Sequence, residues 1–436
     1  MSLDKTETLH IAMLGLGHVG QGVCRILSQN KSGIETRIGK KVVLKSIFVR
    51  NTQKYADIDV GQATLTSKIE DILEDPDIDI MIEVMGGERP AYEYVCKALK
   101  KGKHVITANK EMVCKHKNNL FKLAKEHDCD LFFEAAVAGG IPIIRCLKVG
   151  FAANKIHSLY GILNGTTNYI LTQIESEKKP FDEVLKEAQR LGFAEADPEM
   201  DISGLDIAYK LVILAAVGFK VDISLEQIQY EGIEQITSTD IAYANELGYT
   251  IRMLAIGDQL ETNQLVFKVH PMLIPQTHPL ASVKKEFNAL FIKGDFVGET
   301  MLYGKGAGGL PTGSSIVSDM IDIAFGHLKN SRRNLEYEFK SVDLCPISET
   351  SSKFYLRLLV KDEPGVIEKI GSVFGKHHVS ILKFIQKDKV GEDSETVVVT
   401  HLVKENHFYN ALKELNSLNC VIEIHTTLRV GLDNIE

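Results

Sequence analysis

The 436-residue chain lacks the features that would indicate a membrane, secreted or nucleic-acid-binding protein. No apolar run approaches the roughly 18 residues that a transmembrane helix needs, and the polar start MSLDKTETLH contains no secretory core. The seven cysteines are odd in number and without CxxC spacing, as expected of reduced thiols rather than a disulfide framework or zinc site. The net charge of −8 argues against a nucleic-acid partner. We therefore expect a cytoplasmic protein of roughly two to four domains, without a membrane or nucleic-acid partner.

A glycine-rich turn near the start indicates dinucleotide binding. Residues 9–14 predict a short apolar strand and residues 21–27 predict a helix. Strand, GxGxxG and helix in this order form the context in which the motif binds a pyrophosphate, because the glycines permit a tight turn and the helix N-terminus supplies N–H donors. A packing turn without a ligand is the alternative. The motif consists of Gly15, Leu16, Gly17, His18, Val19 and Gly20.

Further apolar segments at 42–49, 78–85, 104–107 and 130–133 alternate with helical segments, which include 90–101 and 120–127. This βαβα order predicts a parallel, doubly wound sheet, in which ligands bind at the carboxyl ends of the strands. Lys110 follows such a strand end and is placed to meet the nicotinamide, with a surface lysine as the alternative.

The second strand is followed by Arg50, where an NAD enzyme usually has an acid. A guanidinium suits a 2′-phosphate, so NADP(H) is favoured over NAD(H), with a solvated arginine as the alternative.

Two more glycine-rich segments follow. The bend from Glu134 to Pro142 combines one acid with several carbonyls, which suits a hard cation, although a simple domain crossover is the alternative. The loop 304–313 precedes a predicted helix at 314–325, and we expect it to close over the cofactor unless it is a surface loop. Between them, the sequence NGTTN at 164–168 precedes a helix, where it caps the helix or binds a polar ligand.

The chemistry is concentrated in residues 193–219. This stretch opens with four carboxylates in seven residues and ends in an apolar helix that predicts burial. If the helix starts near Gly204, Asp206 and Lys210 share one face. A structural ion pair is one interpretation. The other is an acid/base lysine held by an aspartate, with a carboxylate cluster that binds a substrate ammonium or a cation. The four carboxylates are Glu195, Asp197, Glu199 and Asp201.

The C-terminal part forms a separate unit. Residues 329–352 are polar and predict a linker, and residues 353–436 predict βαββαβ, the ferredoxin-like order. Its first strand runs into the turn Asp362-Glu363-Pro364-Gly365.

With these motifs in place, the chain resembles homoserine dehydrogenases with a C-terminal ACT domain over nearly its whole length. The motifs that carry the resemblance are GLGHVG at 15–20, TANKEMV at 107–113, FFEAAVAGGIPII at 132–144, GILNGTTNYIL at 161–171, GFAEADPEMDISGLDIAYKLVIL at 192–214 and GAGGLPTGSS at 306–315. One minor departure is the alanine at 196, where a proline is common.

The resemblance implies an α/β fold with three domains. We expect a Rossmann-type domain at 1–134 completed by 306–328, an α+β substrate-binding and dimerisation domain at 135–305, the linker, and a ferredoxin-like ACT domain at 353–436. It also implies homodimers or homotetramers.

The implied reaction is the reversible NAD(P)H-dependent reduction of L-aspartate 4-semialdehyde to L-homoserine, in threonine, methionine and isoleucine biosynthesis. By this resemblance Lys210 gives or takes the proton at the aldehyde oxygen, and Lys110 lies near the reacting carbonyl. Asp206 orients Lys210 and is also a substrate ligand. Glu195 binds the substrate amino group and Asp201 supports substrate binding.

The resemblance also assigns ligands outside the substrate. Cofactor contacts fall on the GLGHVG turn, Arg50, Thr107, Lys110 and the loop that begins at Gly306. L-threonine is the implied inhibitor at the ACT turn, with dimerisation without a ligand as the alternative. The resemblance assigns a structural Na⁺ to Glu134 and the carbonyls of Val137, Gly139 and Ile141. It assigns the threonine contacts to Asp362, Pro364, Gly365 and Val366.

Two rival interpretations remain. One is a catalytically lapsed amino-acid sensor on the same fold, which the intact lysines and acids argue against. The other is a semialdehyde dehydrogenase with a nucleophilic cysteine. No cysteine lies in a suitable glycine-rich elbow at a strand end, and Cys114 and Cys146 look incidental.

Overall fold

The computed structural model describes residues 8–328 and 339–432, so most of the predicted linker's first half lies outside the described residues. The described chain forms two compact units. The first contains 8–156, 209–227, 288–328 and 339–341, and the second contains 157–208, 228–287 and 342–432. The division between Ala208 and Tyr209 falls inside a single helix, Leu205–Leu214. Within these residues, no helix is long and apolar enough to cross a membrane.

A six-stranded parallel sheet forms the centre of the first unit. Its strands are β1 (Thr8–Leu14), β2 (Lys41–Phe48), β3 (Thr64–Thr66), β4 (Ile80–Glu83), β5 (His104–Thr107) and β6 (Leu131–Phe132). The strand order is β3-β2-β1-β4-β5-β6, and every neighbouring pair is parallel. This is the order of doubly wound dinucleotide-binding folds, so the predicted fold class is confirmed for this unit.

Two helices of this unit begin earlier than the sequence patterns predicted. The first begins at His18, inside the glycine-rich motif, rather than at residue 21. The segment 120–127 is the second half of a helix that begins at Lys110, because the Asn109 side chain caps it by accepting from the Met112 N–H at 3.0 Å. The helices are His18–Gln29, Lys31–Ile38, Glu70–Leu73, Ala91–Lys100, Lys110–Glu126, Ile143–Arg145 and Gly309–Leu328, with π-helical turns at Cys146–Gly150 and Ala215–Phe219.

Two helices of the first unit meet through glycines. A Cβ atom on Gly22 would lie 2.1 Å from the Gly309 carbonyl oxygen. A Cβ atom on Gly309 would lie 2.5 Å from the His18 carbonyl oxygen. The helix Gly309–Leu328 therefore packs its first turn directly on the helix of the glycine-rich motif. Further along, Ile316 and Met320 are fully buried in the core under the parallel sheet.

The second unit contains a mixed sheet that runs without a break into the C-terminal strands. Strand Tyr249–Gln259 pairs antiparallel with Ile156–Ile162 on one side and with Leu265–Pro275 on the other. Leu265–Pro275 then pairs parallel with Val421–Val430, the edge strand of the C-terminal domain. The sequence patterns did not predict this joint. The helices are Gly165–Glu177, Phe181–Leu191, Glu199–Ile202, Ser238–Glu246, Val366–Lys376 and Glu405–Leu415.

The C-terminal domain has the predicted βαββαβ order. Its four strands are arranged as Val421–Val430, Ser351–Lys361, Asp393–Thr400 and Ile381–Val390, all antiparallel. The remaining strands of the chain are Val221–Asp222, Gln229–Tyr230, Phe287–Gly294, Gly298–Lys305, Lys340–Ser341 and Val403–Lys404.

Candidate active site

The glycine-rich turn at the end of β1 has the shape of a phosphate site. Gly15 has a φ of +104°, and a Cβ atom there would lie 2.8 Å from the Val84 carbonyl oxygen. By contrast, a Cβ on Gly17 meets no described atom within 4 Å. Gly17 also begins the helix His18–Gln29 without a side-chain cap among the described residues, which leaves N–H donors for an anion. The turn therefore fits the pyrophosphate of a dinucleotide.

Arg50 lies at the same edge of the sheet as this turn. It follows the carboxyl end of β2, which runs parallel to β1, and the Gly15 N–H donates to the Phe48 carbonyl at 2.9 Å. The Arg50 side chain is exposed. An exposed guanidinium at the edge that holds the phosphate turn is well placed for a second phosphate.

Two residues that the sequence patterns missed fix the start of the helix carrying Lys110. The buried Glu83 carboxylate accepts from the Thr107 hydroxyl at 2.6 Å and the Met85 N–H at 2.8 Å. Burial raises the pKa of Glu83. Asn109 caps the helix with its Oδ1 and donates from Nδ2 to the Gly87 carbonyl at 2.6 Å. Lys110 is thereby held half-buried as the first helical residue. The run Thr-Ala-Asn after a strand was a readable capping signal.

The bend after β6 is organised around Glu134. Its carboxylate accepts from the backbone N–H groups of Ile144 at 2.8 Å and Arg145 at 2.7 Å. Burial raises the pKa of Glu134 to about 7. The Gly139 carbonyl, one of the predicted cation ligands, accepts from the Ser315 hydroxyl at 2.7 Å. Among the described residues, no group of three or more His, Cys, Asp or Glu side chains could hold a metal ion.

The acidic stretch of the second unit is drawn together by one amide. Asn164 Nδ2 donates to Asp201 Oδ1 and to Asp206 Oδ2, each at 2.8 Å. The Thr166 hydroxyl lies 3.0 Å from Asp201 Oδ2, while Asn164 Oδ1 accepts from the Thr167 N–H at 2.8 Å and caps the helix. The NGTTN segment thus caps the helix, as one of the two sequence interpretations predicted, and also holds both carboxylates, which the sequence patterns did not predict. Binding of a polar ligand by this segment stays a prediction.

The remaining predicted substrate residues differ in exposure. Asp206 is buried and Lys210, one turn further along the helix Leu205–Leu214, is half-buried. Glu195 lies exposed in the loop after helix Phe181–Leu191, where its carbonyl accepts from the Gln189 amide at 3.1 Å. The structure therefore joins Asp201 and Asp206 through hydrogen bonds and leaves Glu195 at the surface.

The predicted regulatory turn is exposed. Gly365 has a φ of +89° and begins the helix Val366–Lys376, in which Val366 is buried. Asp362 Oδ1 accepts from the Gln386 amide at 3.3 Å. Residues 362–365 are therefore accessible to a ligand or to another chain.

Fold and site together define an NAD(P)-dependent dehydrogenase with a C-terminal ACT domain. Family models match as the homoserine dehydrogenase NAD-binding domain at residues 15–134, homoserine dehydrogenase at 142–321 and the ACT domain at 354–420. The homoserine dehydrogenase of Bacillus subtilis is 42% identical over 97% of this chain and 98% of its own. The chain belongs to the homoserine dehydrogenase family, and it is an oxidoreductase.

Solved structures agree with this assignment. A homoserine dehydrogenase from Thiobacillus denitrificans has a TM-score of 0.93 and 39% identity, covering 98% of each chain. A hyperthermophilic archaeal homoserine dehydrogenase in complex with NADPH has a TM-score of 0.62 and 27% identity, covering 74% of this chain and 98% of that one. The predicted family is confirmed, and the lapsed-sensor alternative is not favoured.

The cysteine alternative lacks a reactive thiol at either residue considered. Burial raises the pKa of the Cys114 thiol to about 12 and also raises that of Cys146. Because the thiolate is the nucleophilic form, neither side chain suits covalent catalysis.

Proposed function

We propose that this enzyme reversibly reduces L-aspartate 4-semialdehyde to L-homoserine, on the route to threonine, methionine and isoleucine. The observation that carries the proposal is the pair of carboxylates, Asp201 and Asp206, that the Asn164 amide holds. Asp206 lies one turn before Lys210 in the same helix. Carboxylates match the ammonium of an amino-acid substrate, and a nearby lysine matches the oxygen of its aldehyde.

Each residue has a distinct task in this reaction. The cofactor supplies the hydride when bound, so the chain must orient the substrate and move one proton. Lys210 stabilises the negative charge that develops on the aldehyde oxygen and then protonates it. Asp206 orients Lys210, and Lys110 assists near the carbonyl. Glu195 and Asp201 bind the substrate ammonium.

NADPH is the proposed cofactor. The pyrophosphate lies on the turn formed by Gly15, Leu16, Gly17, His18, Val19 and Gly20, and the loop at Gly306 contributes a further contact. Thr107 and Lys110 serve the nicotinamide end, and Arg50 binds the 2′-phosphate. The exposed Arg50 beside the turn supports this choice, as does the archaeal relative whose structure contains NADPH.

A sodium ion is the proposed structural cation, with Glu134 and the carbonyls of Val137, Gly139 and Ile141 as ligands. The support for this is that Glu134 is a buried carboxylate in the same bend of the chain as these three carbonyls.

Regulation is proposed to act through L-threonine at the ACT turn, on Asp362, Pro364, Gly365 and Val366, in a cytoplasmic homodimer or homotetramer. The exposed turn supports this assignment. We retain three functional domains: 1–134 completed by 306–328, 135–305, and 353–436 after the linker.

An assay that follows NADPH directly by its absorbance tests the proposal. Aspartate semialdehyde and NADPH should give turnover that is independent of phosphate, and homoserine with NADP⁺ should give the reverse reaction. In a parallel assay of the semialdehyde with NADP⁺, NADPH formation that requires phosphate would support the cysteine alternative, because that reaction oxidises the aldehyde to an acyl phosphate and transfers its hydride to NADP⁺. Absence of turnover with both NADPH and NADH would support the lapsed sensor.

A further inference from the structure

The loop 306–308 borders the glycine-rich turn. The next residue, Gly309, begins a helix and lies directly against the His18 carbonyl group of that turn. Ala307 is exposed, whereas Gly306 is half-buried. The loop therefore has one side that is open to a ligand on the turn and one side that the protein holds.

The glycine bend after β6 holds one part of this loop. The Gly140 N–H donates to the Lys305 carbonyl at 3.1 Å. A Cβ atom on Gly139 would lie only 2.4 Å from the Gly306 carbonyl oxygen. The backbones of the bend and the loop are therefore in direct contact, with no room for a methyl group at residue 139.

Asn288 makes a second contact with the same loop residue. It belongs to the strand Phe287–Gly294 and is 1% exposed. A Cβ atom on Gly306 would lie 2.0 Å from Asn288 Nδ2, 2.1 Å from Cγ and 2.6 Å from Oδ1. Because all three of these amide atoms are so close, the amide lies flat against Gly306.

Packing alone does not account for an amide at residue 288. Asn288 Oδ1 is buried without a hydrogen-bond partner among the described residues, which costs free energy that an apolar side chain would not cost. Leucine is similar in size, but its Cγ is tetrahedral and carries two methyl groups, so it cannot lie flat as an amide does. The planar shape of the amide is therefore the property that lets the Gly306 backbone approach so closely.

We propose that Asn288 is a positioning residue for the cofactor, because its amide fits against Gly306 and holds the loop 306–308 where it contacts the bound nucleotide. The inference rests on one part of the proposed function, the contact between this loop and the cofactor. It does not depend on which aldehyde is reduced. A loop that is set in advance lowers the ordering cost of binding, so its displacement weakens the affinity for the nucleotide.

Fluorescence titration of the full chain with NADPH, in the absence of substrate, tests the proposal. Gly306→Ala should raise the Kd roughly tenfold or more, because the new methyl group collides with the Asn288 amide and shifts the loop. Asn288→Ala should raise the Kd roughly threefold, because the loop loses its support. The double variant should bind NADPH more tightly than Gly306→Ala alone, since the shorter side chain makes room for the methyl group.

This rescue separates positioning from direct obstruction. A methyl group that blocks the nucleotide itself would not be relieved by Asn288→Ala, so a double variant that binds no more tightly than Gly306→Ala overturns the proposal. Melting curves check that each variant folds, and Asn288→Ser takes the place of Asn288→Ala if the latter does not.

The matched control is Ile292→Val, a fully buried change four residues further along the same strand. It should keep the wild-type Kd. A Kd for Ile292→Val that rises as far as that of Asn288→Ala would assign the effect to a weakened strand and overturn the positioning role.

Catalysis provides a separate readout. At saturating NADPH, the kcat of Asn288→Ala should stay within about twofold of the wild type, because the residue acts on cofactor binding and touches no reacting atom. A kcat that falls further than the affinity would contradict the proposal. Variants that follow the expected order of Kd values in a protein that does not turn over the semialdehyde would leave Asn288 its role and refute the proposed reaction.

Discussion

Asn164 Nδ2 lies 2.8 Å from Asp206 Oδ2 and makes a second hydrogen bond of the same length to Asp201 Oδ1. Two carboxylates that share a site repel each other, and a donor between them offsets that repulsion. Because the Asn164 Oδ1 caps the helix Gly165–Glu177, the amide cannot rotate away without loss of the cap. Asn164 is therefore a positioning residue for the acidic pair.

Replacing Asn164 by serine should separate its two roles. Serine retains an N-cap acceptor but cannot reach both carboxylates with an amide donor. A hydrogen bond to a charged group contributes about 1.5–3 kcal/mol, so the loss of one of the two bonds should lower kcat/KM for the semialdehyde roughly ten- to hundredfold and the loss of both should lower it further. Steady-state kinetics measure this effect, and circular dichroism should show an intact fold. A kcat/KM equal to that of the wild type would remove Asn164 from the positioning role.

The sequence predicted those features that are set by local pattern. The GxGxxG turn, the alternation of strands and helices and the βαββαβ tail all depend on residues close in the chain. The starts of the helices at His18 and Lys110 were placed too late, because a glycine and an asparagine at the N-cap were read as parts of loops.

Contacts between distant segments could not be predicted from pattern. Asn164 and Asp201 are 37 residues apart in the chain. Arg357 and Asp240 are 117 apart. The parallel pairing of Leu273 with Val430 likewise depends on the tertiary fold. Periodicity carries no information about such partners, since each side chain alone is compatible with a solvated surface position.

Arg50→Ala tests the cofactor assignment. If the guanidinium binds the 2′-phosphate, KM for NADPH should rise roughly tenfold or more while KM for NADH stays constant, because only NADPH carries that group. Parallel initial-rate assays with the two nucleotides measure the ratio. Arg37→Ala, an exposed arginine on the helix Lys31–Ile38, is the matched control for loss of a positive charge. Equal effects on both nucleotides would contradict the assignment.

The proposed sodium site predicts a cation-specific stability. The melting temperature in sodium chloride should exceed that in N-methyl-D-glucamine chloride of equal ionic strength by roughly 2–4 °C, because an ion that binds only the folded state stabilises it. In Glu134→Gln this difference should disappear, whatever the absolute melting temperature of the variant. A full sodium effect in the variant, or none in the wild type, would be inconsistent with Glu134 as a ligand.

A buried ion pair joins the helix Ser238–Glu246 to the first strand of the ACT domain. Arg357 Nε lies 2.7 Å from Asp240 Oδ1, and Arg357 Nη2 lies 3.1 Å from Asp240 Oδ2. Arg357 Nη1 lies 2.6 Å from Glu395 Oε1. Asp240→Ala leaves part of a buried guanidinium unpaired, so we expect a loss of about 3–5 kcal/mol in the free energy of unfolding.

Urea denaturation followed by circular dichroism measures this loss. Glu126→Ala is the control, because Glu126 forms an exposed pair with Lys122 at 3.8 Å. Glu126→Ala should lower the free energy of unfolding by less than about 1 kcal/mol. If Asp240→Ala lowers the free energy of unfolding no more than the control does, the ion pair does not stabilise the contact between the helix Ser238–Glu246 and the ACT domain.

The turnover number of Lys210→Ala with aspartate semialdehyde and NADPH tests the central claim. Loss of a general acid should lower kcat roughly 10²- to 10⁴-fold while KM changes little, since Lys210 acts on charge that develops only in the transition state. Lys186→Ala, an exposed lysine on the helix Phe181–Leu191, should keep the wild-type kcat. A kcat for Lys210→Ala equal to that of the wild type would contradict the account.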